Sequence, residues 1–391
     1  DGVGAEGSPG YSLGWSARMG LIANLLSDYE EYTKNDLYRD FPQIKRSIMA
    51  AWNLGILGAN TPNIGDTGST GSRGIASLSP GRMIEAYKRL KDPEIALAAV
   101  RANDGQYEGL GRDIFAEDPD WVDAEIADLL GDHGQNPEIE GENLSGYGLV
   151  SCEFGPPNTG HGLWVYYGRN GGHGHRDRLN FGLDAYGYCM SPDLGYPEFT
   201  TKWAKRRQWT ENTISHNTVV INKEPQSTNW VGHPQFFAQF EDFGGFCVES
   251  PGVYPDSAET YERTMALVKV GPQQAYALDI FRVAGGNDHL MSFHGLEADV
   301  TTEGLNLTKQ DGGSYAGPEV DFKDSPWSGP EAGYAWLDNV ERDEDPAAAF
   351  MLDYAGAPGY RGLPEGEDLH LRYHFLSQVD DIALCDGHPP S

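Results

Sequence analysis

Positive charge is scarce in this sequence: 28 Lys and Arg stand against 59 Asp and Glu, a formal charge of −31. A chain so acidic repels nucleic acid and anionic membrane, so a general basic binding surface is excluded. The acidity itself reads as a solvated surface suited to a salty medium. Cysteine is also sparse. Cys152, Cys189, Cys247 and Cys385 contain no CxxC spacing, which removes a thiolate zinc site and a dithiol redox motif and leaves any disulfide unread. No apolar run approaches the roughly 18 residues that span a bilayer, and no secretory leader is visible. No internal repeat is present. The opening residues, Asp1 to Tyr11, read as the interior of a domain, so an upstream segment is expected before Asp1.

What is there is apolar material for sizeable cores. Of 391 residues, 39% are hydrophobic, with 9 Trp, 20 Tyr and 15 Phe, and at roughly 150 residues per domain the length suits two or three domains. With 50 Gly and 24 Pro, turns are frequent and a large β component follows. Residues 12 to about 135 read as helical. Leu13, Ala17, Leu21 and Leu25 recur at i+4, broadened by Ile22, Leu26 and Tyr29, and predict a helix with that stripe inward. Further helices are expected over about Pro42–Leu57, Gly81–Leu90, Pro93–Val100 and Trp121–Leu130. The Gly-, Thr-, Ser- and Asn-rich Asn60–Gly74 is a long loop. From about Asn143 the period shortens, and strands are expected at Leu163–Gly168, Leu179–Gly187, Asn217–Asn222, Ala266–Val270, Gln274–Val283 and His289–Gly295. A run of helices followed by a run of strands predicts an α+β chain with separate all-α and all-β layers. The boundary falls near residue 140, and the tail after about Glu303 has weaker strand signals.

The sharpest local signal is Gly171-Gly-His-Gly-His-Arg-Asp-Arg-Leu-Asn180. His173 and His175 stand at i and i+2, so on an extended segment they point the same way, and the glycines allow close backbone approach. Asp193 follows in Ser-Pro-Asp-Leu-Gly-Tyr196, and His216 in Ile-Ser-His-Asn-Thr. Two imidazoles and a carboxylate fit a zinc site. They also fit hydrogen-bonded histidines in a sheet, and HxH alone does not separate the two. Phe199–Thr210 carries Lys202, Lys205, Arg206 and Arg207 without an acid, interleaved with Trp203 and Trp209. Such a run binds carboxylate or sulfate while Trp faces stack on sugar rings, or it is a solvated basic loop. His161, His289 and His294 read as structural, and Glu6 as a loop carboxylate that could orient Tyr11.

These motifs resemble the signature of heparinase II/III-like polysaccharide lyases, whose relatives include alginate and oligoalginate lyases. The resemblance runs through HGHRDRLNFGLDAYG, SPDLGYPE and SHNTVVIN. It extends to the opening Asp1–Tyr11, to Asn63-Ile-Gly-Asp66, Glu142-Asn-Leu-Ser-Gly-Tyr147, Tyr261-Glu-Arg-Thr and Ser292-Phe-His-Gly295, roughly residues 1–295. It implies an incomplete (α/α) toroid over 1–140, lacking its N-terminal half, and an antiparallel β-sandwich over 141–391. It implies Tyr11 and His173 as catalytic, Tyr196 as a less secure second tyrosine, and His175, Asp193 and His216 as ligands of a structural Zn²⁺. Lys202, Trp203, Arg206 and Arg207 become substrate contacts. The family's Asn-His pair before the tyrosine segment, which neutralises the uronate carboxylate, has no counterpart in these residues.

The implied activity is β-elimination on a uronic-acid polysaccharide, leaving a 4,5-unsaturated end. The partner is an anionic poly- or oligosaccharide, with no nucleic acid and no membrane span, and the resemblance places the protein in the periplasm or outside the cell. A homo-oligomer is compatible with the sequence and not indicated by it. Two other readings compete. A zinc hydrolase would use His175, Asp193 and His216 to activate water, but no general base is evident. A non-catalytic glycan-binding protein would keep the fold without the activity. Which uronate polymer is cut, and whether from within or from an end, is not written in these residues.

Overall fold

The computed structural model describes residues 1–391 except 28, 30–36, 113–117, 119, 170, 197–203, 229–231 and 388–391. Helices come first: α1 (Pro9–Ser27), α2 (Leu37–Asp40), α3 (Gln43–Asn53), α4 (Pro80–Leu90), α5 (Pro93–Ala102) and α6 (Asp120–Leu130). Antiparallel strands follow, so the α+β reading holds. Pro9 opens α1, where its missing N–H costs nothing. The Asp92 side chain caps α5 by accepting from the Glu94 N–H.

The core-facing stripe expected on α1 is corrected by the structure. Its buried face is Ser12, Leu13, Ser16, Gly20 and Ala23, whereas Leu21, Ile22 and Leu25 are exposed. The helix is apolar on nearly every side, so periodicity could not choose a face. Small residues decided it, since they let α1 approach α3 closely: a Cβ on Gly20 would stand 3.2 Å from Ile48.

The first sheet orders β1 (Asn143–Leu144), β2 (Leu149–Phe154), β3 (His161–Tyr166), β4 (Asn180–Ala185) and β5 (Tyr188–Cys189). It is covered on both faces. Leu149, Trp164 and Tyr166 join Leu13, Leu54 and Ile56 of the helical part in one core. Val150, Cys152, Leu163 and Val165, one step along the pleat, join Phe246, Val248, Tyr261 and Met265 in another. The second of these cores lies against a four-stranded sheet with β10 (Gln274–Ala284), β9 (Thr260–Gly271), β8 (Phe243–Glu249) and β7 (His233–Gln239) in that order. Two-sided burial explains why β2 and β3 are buried at every position, without polar alternation. β6 (Val219–Ile221) pairs with β11 (His289–Met291). The tail forms two three-stranded sheets, β12 (Ala298–Glu303) with β15 (Phe350–Gly356) and β16 (His370–Phe375), and β13 (Thr308–Lys309) with β14 (Leu337–Asp343) and β17 (Ile382–Gly387). All four cysteines are free thiols. Among the described residues, no helix is long and apolar enough to cross a membrane.

Candidate active site and metal centre

Three segments distant in sequence are tied together where the helical part meets the first sheet. The Gly7 N–H donates to the Gly171 carbonyl at 3.0 Å, and the Asp66 N–H donates to the His173 carbonyl at 2.9 Å. Gly65 sits between them with φ +55°, and a Cβ there would lie 2.6 Å from the His173 oxygen and 2.7 Å from the Gly7 oxygen. Only glycine fits such an approach. The Ser8 and Thr67 hydroxyls, 2.6 Å apart, fasten the start of α1 to the same loop.

Tyr11, in the first turn of α1, and His173, in the β3–β4 connection, meet at this junction. Their rings stack with centroids 3.5 Å apart and planes 4° from parallel, and both are partly exposed. Tyr196 stands edge-on to Tyr11, at 6.4 Å between ring centres. The Tyr196 hydroxyl, followed by burial, pushes the Tyr11 phenol above its ordinary pKa, so at neutral pH it is protonated. His173 turns Nδ1 toward Asp66 Oδ2 at 2.9 Å, and its Nε2 lies 3.6 Å from Glu6 Oε2. A carboxylate can only accept, so Nδ1 carries the hydrogen and Nε2 is the proton-accepting nitrogen of the neutral ring.

Asp66 is the residue that sequence reasoning missed. Its side chain is fully buried, with Oδ2 also accepting from Arg206 at 2.5 Å and Oδ1 lying 3.3 Å from His175 Nε2. Burial works to raise its pKa, but hydrogen bonds from His175 and His173 and the Arg206 charge outweigh it and hold the carboxylate ionised. The one available signal was its place in Asn63-Ile-Gly-Asp66, inside an otherwise Gly- and Ser-rich loop.

His175, Asp193 and His216 converge, each offering one ligand atom, all within 4.8 Å of one another and all buried. Asp193 Oδ2 accepts from His216 Nδ1 at 2.9 Å and from Asn180 Nδ2 at 2.6 Å, while Oδ1 accepts from the Gly195 N–H at 3.0 Å. His216 therefore has Nε2 as its remaining donor atom, and that nitrogen is buried with no hydrogen-bond partner among the described residues. Burial alone would lower the His216 pKa, but the adjacent Asp193 charge and hydrogen bond override it and raise it. An orphaned buried imidazole nitrogen beside a second imidazole and a carboxylate fits the donor set of a divalent zinc site.

The basic run is divided by the structure. Lys202 and Trp203 lie outside the described residues. Lys205–Thr210 forms a π-helical turn. Arg206 is largely buried between Asp66 and Glu211, with Nε donating to Glu211 Oε1 at 2.5 Å. Arg207 is half-exposed and donates to Glu211 Oε2 at 2.8 Å. The run without an acid is thus answered by Glu211, just beyond it. Trp209 is corrected as a sugar platform: it is fully buried with Leu194, Ile214 and Trp336. His161 is buried edge-on to Tyr186, with its pKa lowered by burial, in keeping with a structural role. Two cavities lie elsewhere, about 370 Å³ between α1, α3 and α4 and about 1670 Å³ around the C-terminal sheets, and neither is lined by Tyr11 or His173. The Tyr11–His173 junction is chosen on its chemistry.

Comparison with known proteins finds similarity to one family model and to several solved structures. Residues 150–242 match the family model described as "Heparinase II/III-like, C-terminal". No curated protein has a significant sequence match to the chain. Among solved structures, a heparinase III (the BT4657 gene product) is similar at 12% identity and a TM-score of 0.53, over 100% of this chain and 53% of that one. Its form with methylated lysines reaches a TM-score of 0.57 at 13% identity, over 98% and 52%. The heparan sulfate lyase HepC from Pedobacter heparinus has 13% identity and a TM-score of 0.53, over 100% and 53%. The chain spans about half the length of these structures. Residues 150–242 are thus similar to the C-terminal region of heparinase II/III-like proteins, and the chain shares the fold of these heparinase structures.

Proposed function

We propose that the chain is a polysaccharide lyase that cleaves a uronic-acid-containing polysaccharide by β-elimination. The observation that carries this is the parallel contact of Tyr11 and His173 at 3.5 Å, partly open to solvent and backed by the buried Asp66 carboxylate. Elimination at a uronate requires a base for the C5 proton and an acid for the leaving O4. His173 Nε2 takes the proton from C5. The C5–H electron pair becomes the C4–C5 double bond, the C4–O4 bond breaks, and the Tyr11 phenol protonates O4. A phenol held above its ordinary pKa suits the acid role. Tyr196, beside Tyr11, helps hold that hydroxyl in place.

His175, Asp193 and His216 would hold a structural Zn²⁺, and an ion bound there fixes the segments that present His173 without itself meeting substrate. Arg206, Arg207, Lys202 and Trp203 are assigned to substrate binding, with Arg206 acting from its place between Asp66 and Glu211. The helical part up to about residue 140 is read as part of an (α/α) toroid and the remainder as a β-sandwich unit. The family resemblance supports a periplasmic or secreted location.

The test is a panel of uronate polymers (alginate, heparan-type, hyaluronan-type and ulvan) incubated with the purified protein. Lyase action produces ultraviolet absorbance from the double bond conjugated to the carboxylate. New reducing ends without that absorbance would identify a hydrolase, and neither signal on any polymer would oppose catalysis.

A further inference from the structure

Asp66 touches the proposed ion site and the proposed base at once. Its Oδ1 lies 3.3 Å from Nε2 of His175, and its Oδ2 lies 2.9 Å from Nδ1 of His173 and 2.5 Å from Arg206. The two histidines are separated by one residue, yet it is this carboxylate, more than 100 positions upstream, that joins their rings. Asp66 makes these contacts together from a fixed backbone. Its backbone is pinned by the hydrogen bond to the His173 carbonyl, and the preceding Gly65 leaves no room for a shifted chain. Its side chain has no solvent exposure.

We infer that Asp66 is a positioning residue that couples occupancy of the ion site to the orientation of His173. This rests on the lyase reading above and adds to it a route by which a structural ion affects turnover. With an ion held by His175, Asp193 and His216, the plane of the His175 imidazole would be fixed, and its Nε2 would in turn fix the rotamer of the Asp66 carboxylate. The second oxygen of Asp66 then sets the His173 ring, with Nδ1 as donor and Nε2 facing substrate. Outer partners of metal-bound histidines act in this way, and their loss costs roughly 10–100-fold in affinity or activity. Arg206 holds the carboxylate charged while it does so. Asp66 itself is buried and stands outside the His175, Asp193 and His216 set.

The experiment compares zinc-replete and zinc-stripped protein, wild type and Asp66→Asn, by three readouts. The first is the imidazole N–H resonance of His173 in protein carrying nitrogen-labelled histidine. The second is zinc affinity by chelator competition, and the third is kcat and KM on the best uronate polymer. The expected result is that stripping zinc from the wild type moves or broadens the His173 Nδ1–H resonance and lowers kcat. Asp66→Asn should bind zinc, weaker by roughly 10–100-fold, and lower kcat by roughly 10–100-fold with KM within about twofold. Stripping zinc from Asp66→Asn should then change kcat little further, since the link is already cut. Equal fold-losses from zinc removal in both proteins would overturn the coupling. So would a His173 resonance in the wild type that ignores zinc, a measurement that holds even where the variant fails to fold. If the wild type cleaves no uronate polymer, the lyase reading fails while the resonance and affinity arms still decide the role of Asp66.

Discussion

The Tyr11 ring lies parallel to the His173 imidazole, 3.5 Å away, although 162 positions of sequence separate them. The contact exists because the start of α1 and the β3–β4 connection are both fastened to the loop around Gly65 and Asp66. On the proposed lyase reading, the phenol, protonated at neutral pH, is the acid and the imidazole oriented by a carboxylate is the base, both in place before any substrate arrives.

The metal proposal predicts that the wild type binds one equivalent of zinc and that His216→Ala binds none. The wild type should be stabilised by added zinc, by about 2.7 kcal/mol at a concentration one hundred times the dissociation constant. His216→Ala should show no such rise in melting temperature. Elemental analysis and thermal melts with and without zinc check both points, and a zinc-free wild type with unshifted melting would refute the assignment.

The two arginines should behave differently. Arg206→Ala leaves the fully buried Asp66 without its cationic partner, and removing one member of a buried pair costs roughly 3–5 kcal/mol. The histidine contacts that remain on Asp66 place the expected loss near the lower end. Arg207→Ala removes a half-exposed i,i+4 contact to Glu211 and should cost under about 1 kcal/mol. Denaturant melts distinguish the two. If both arginines also meet substrate, the double change weakens binding further, and more so at low salt.

Two buried carboxyls on the helix-facing side of the first sheet predict a pH dependence. Burial pushes Glu153 up to about 8 and Asp184 up to about 7, despite the Leu57 N–H and Ser151 contacts to Glu153 and the Asn60 contact to Asp184. Both pKa values are raised in the folded state, so the folded chain holds more protons than the unfolded one between roughly pH 4 and 8. The contribution of these groups is therefore fully present below the unfolded carboxyl range and is lost as pH rises toward 8. Glu153→Gln should flatten the stability profile over that window and be more stable than wild type near pH 8. Urea melts from pH 5 to 8 test this, and parallel profiles for the two proteins would count against it.

Much of the fold was legible because local pattern and final environment agreed. The strand expected at Leu179–Gly187 contains β4, and the helix expected from Pro93 is α5. Elsewhere they disagreed. The apolar circumference of α1 gave no face to choose, and the small residues that chose it carry little hydrophobic signal. β7 and β8 went unread because Pro234, Gly244 and Gly245 look like breakers, although the sheet accepts them. In the site, HxH and the later Asp and His were visible as residue types at short spacing. Asp66 was not, because its meaning lies in hydrogen bonds spanning more than 100 positions, and Trp209 turns inward on a π-helical turn that no simple period describes.

The most direct measurement is the rate of ultraviolet absorbance growth on the best uronate polymer for wild type, Tyr11→Phe, His173→Ala and His161→Ala. Tyr11→Phe keeps the ring that stacks on His173 and removes only the hydroxyl, so fold and zinc content should be unchanged. The account predicts that its kcat falls by roughly 10²–10⁴-fold, as for a lost general acid. His173→Ala should fall comparably, and His161→Ala, which changes a buried ring packed on Tyr186, should keep most of its turnover. A folded Tyr11→Phe protein with near-native kcat would contradict the account, and the acid for O4 would have to be another group.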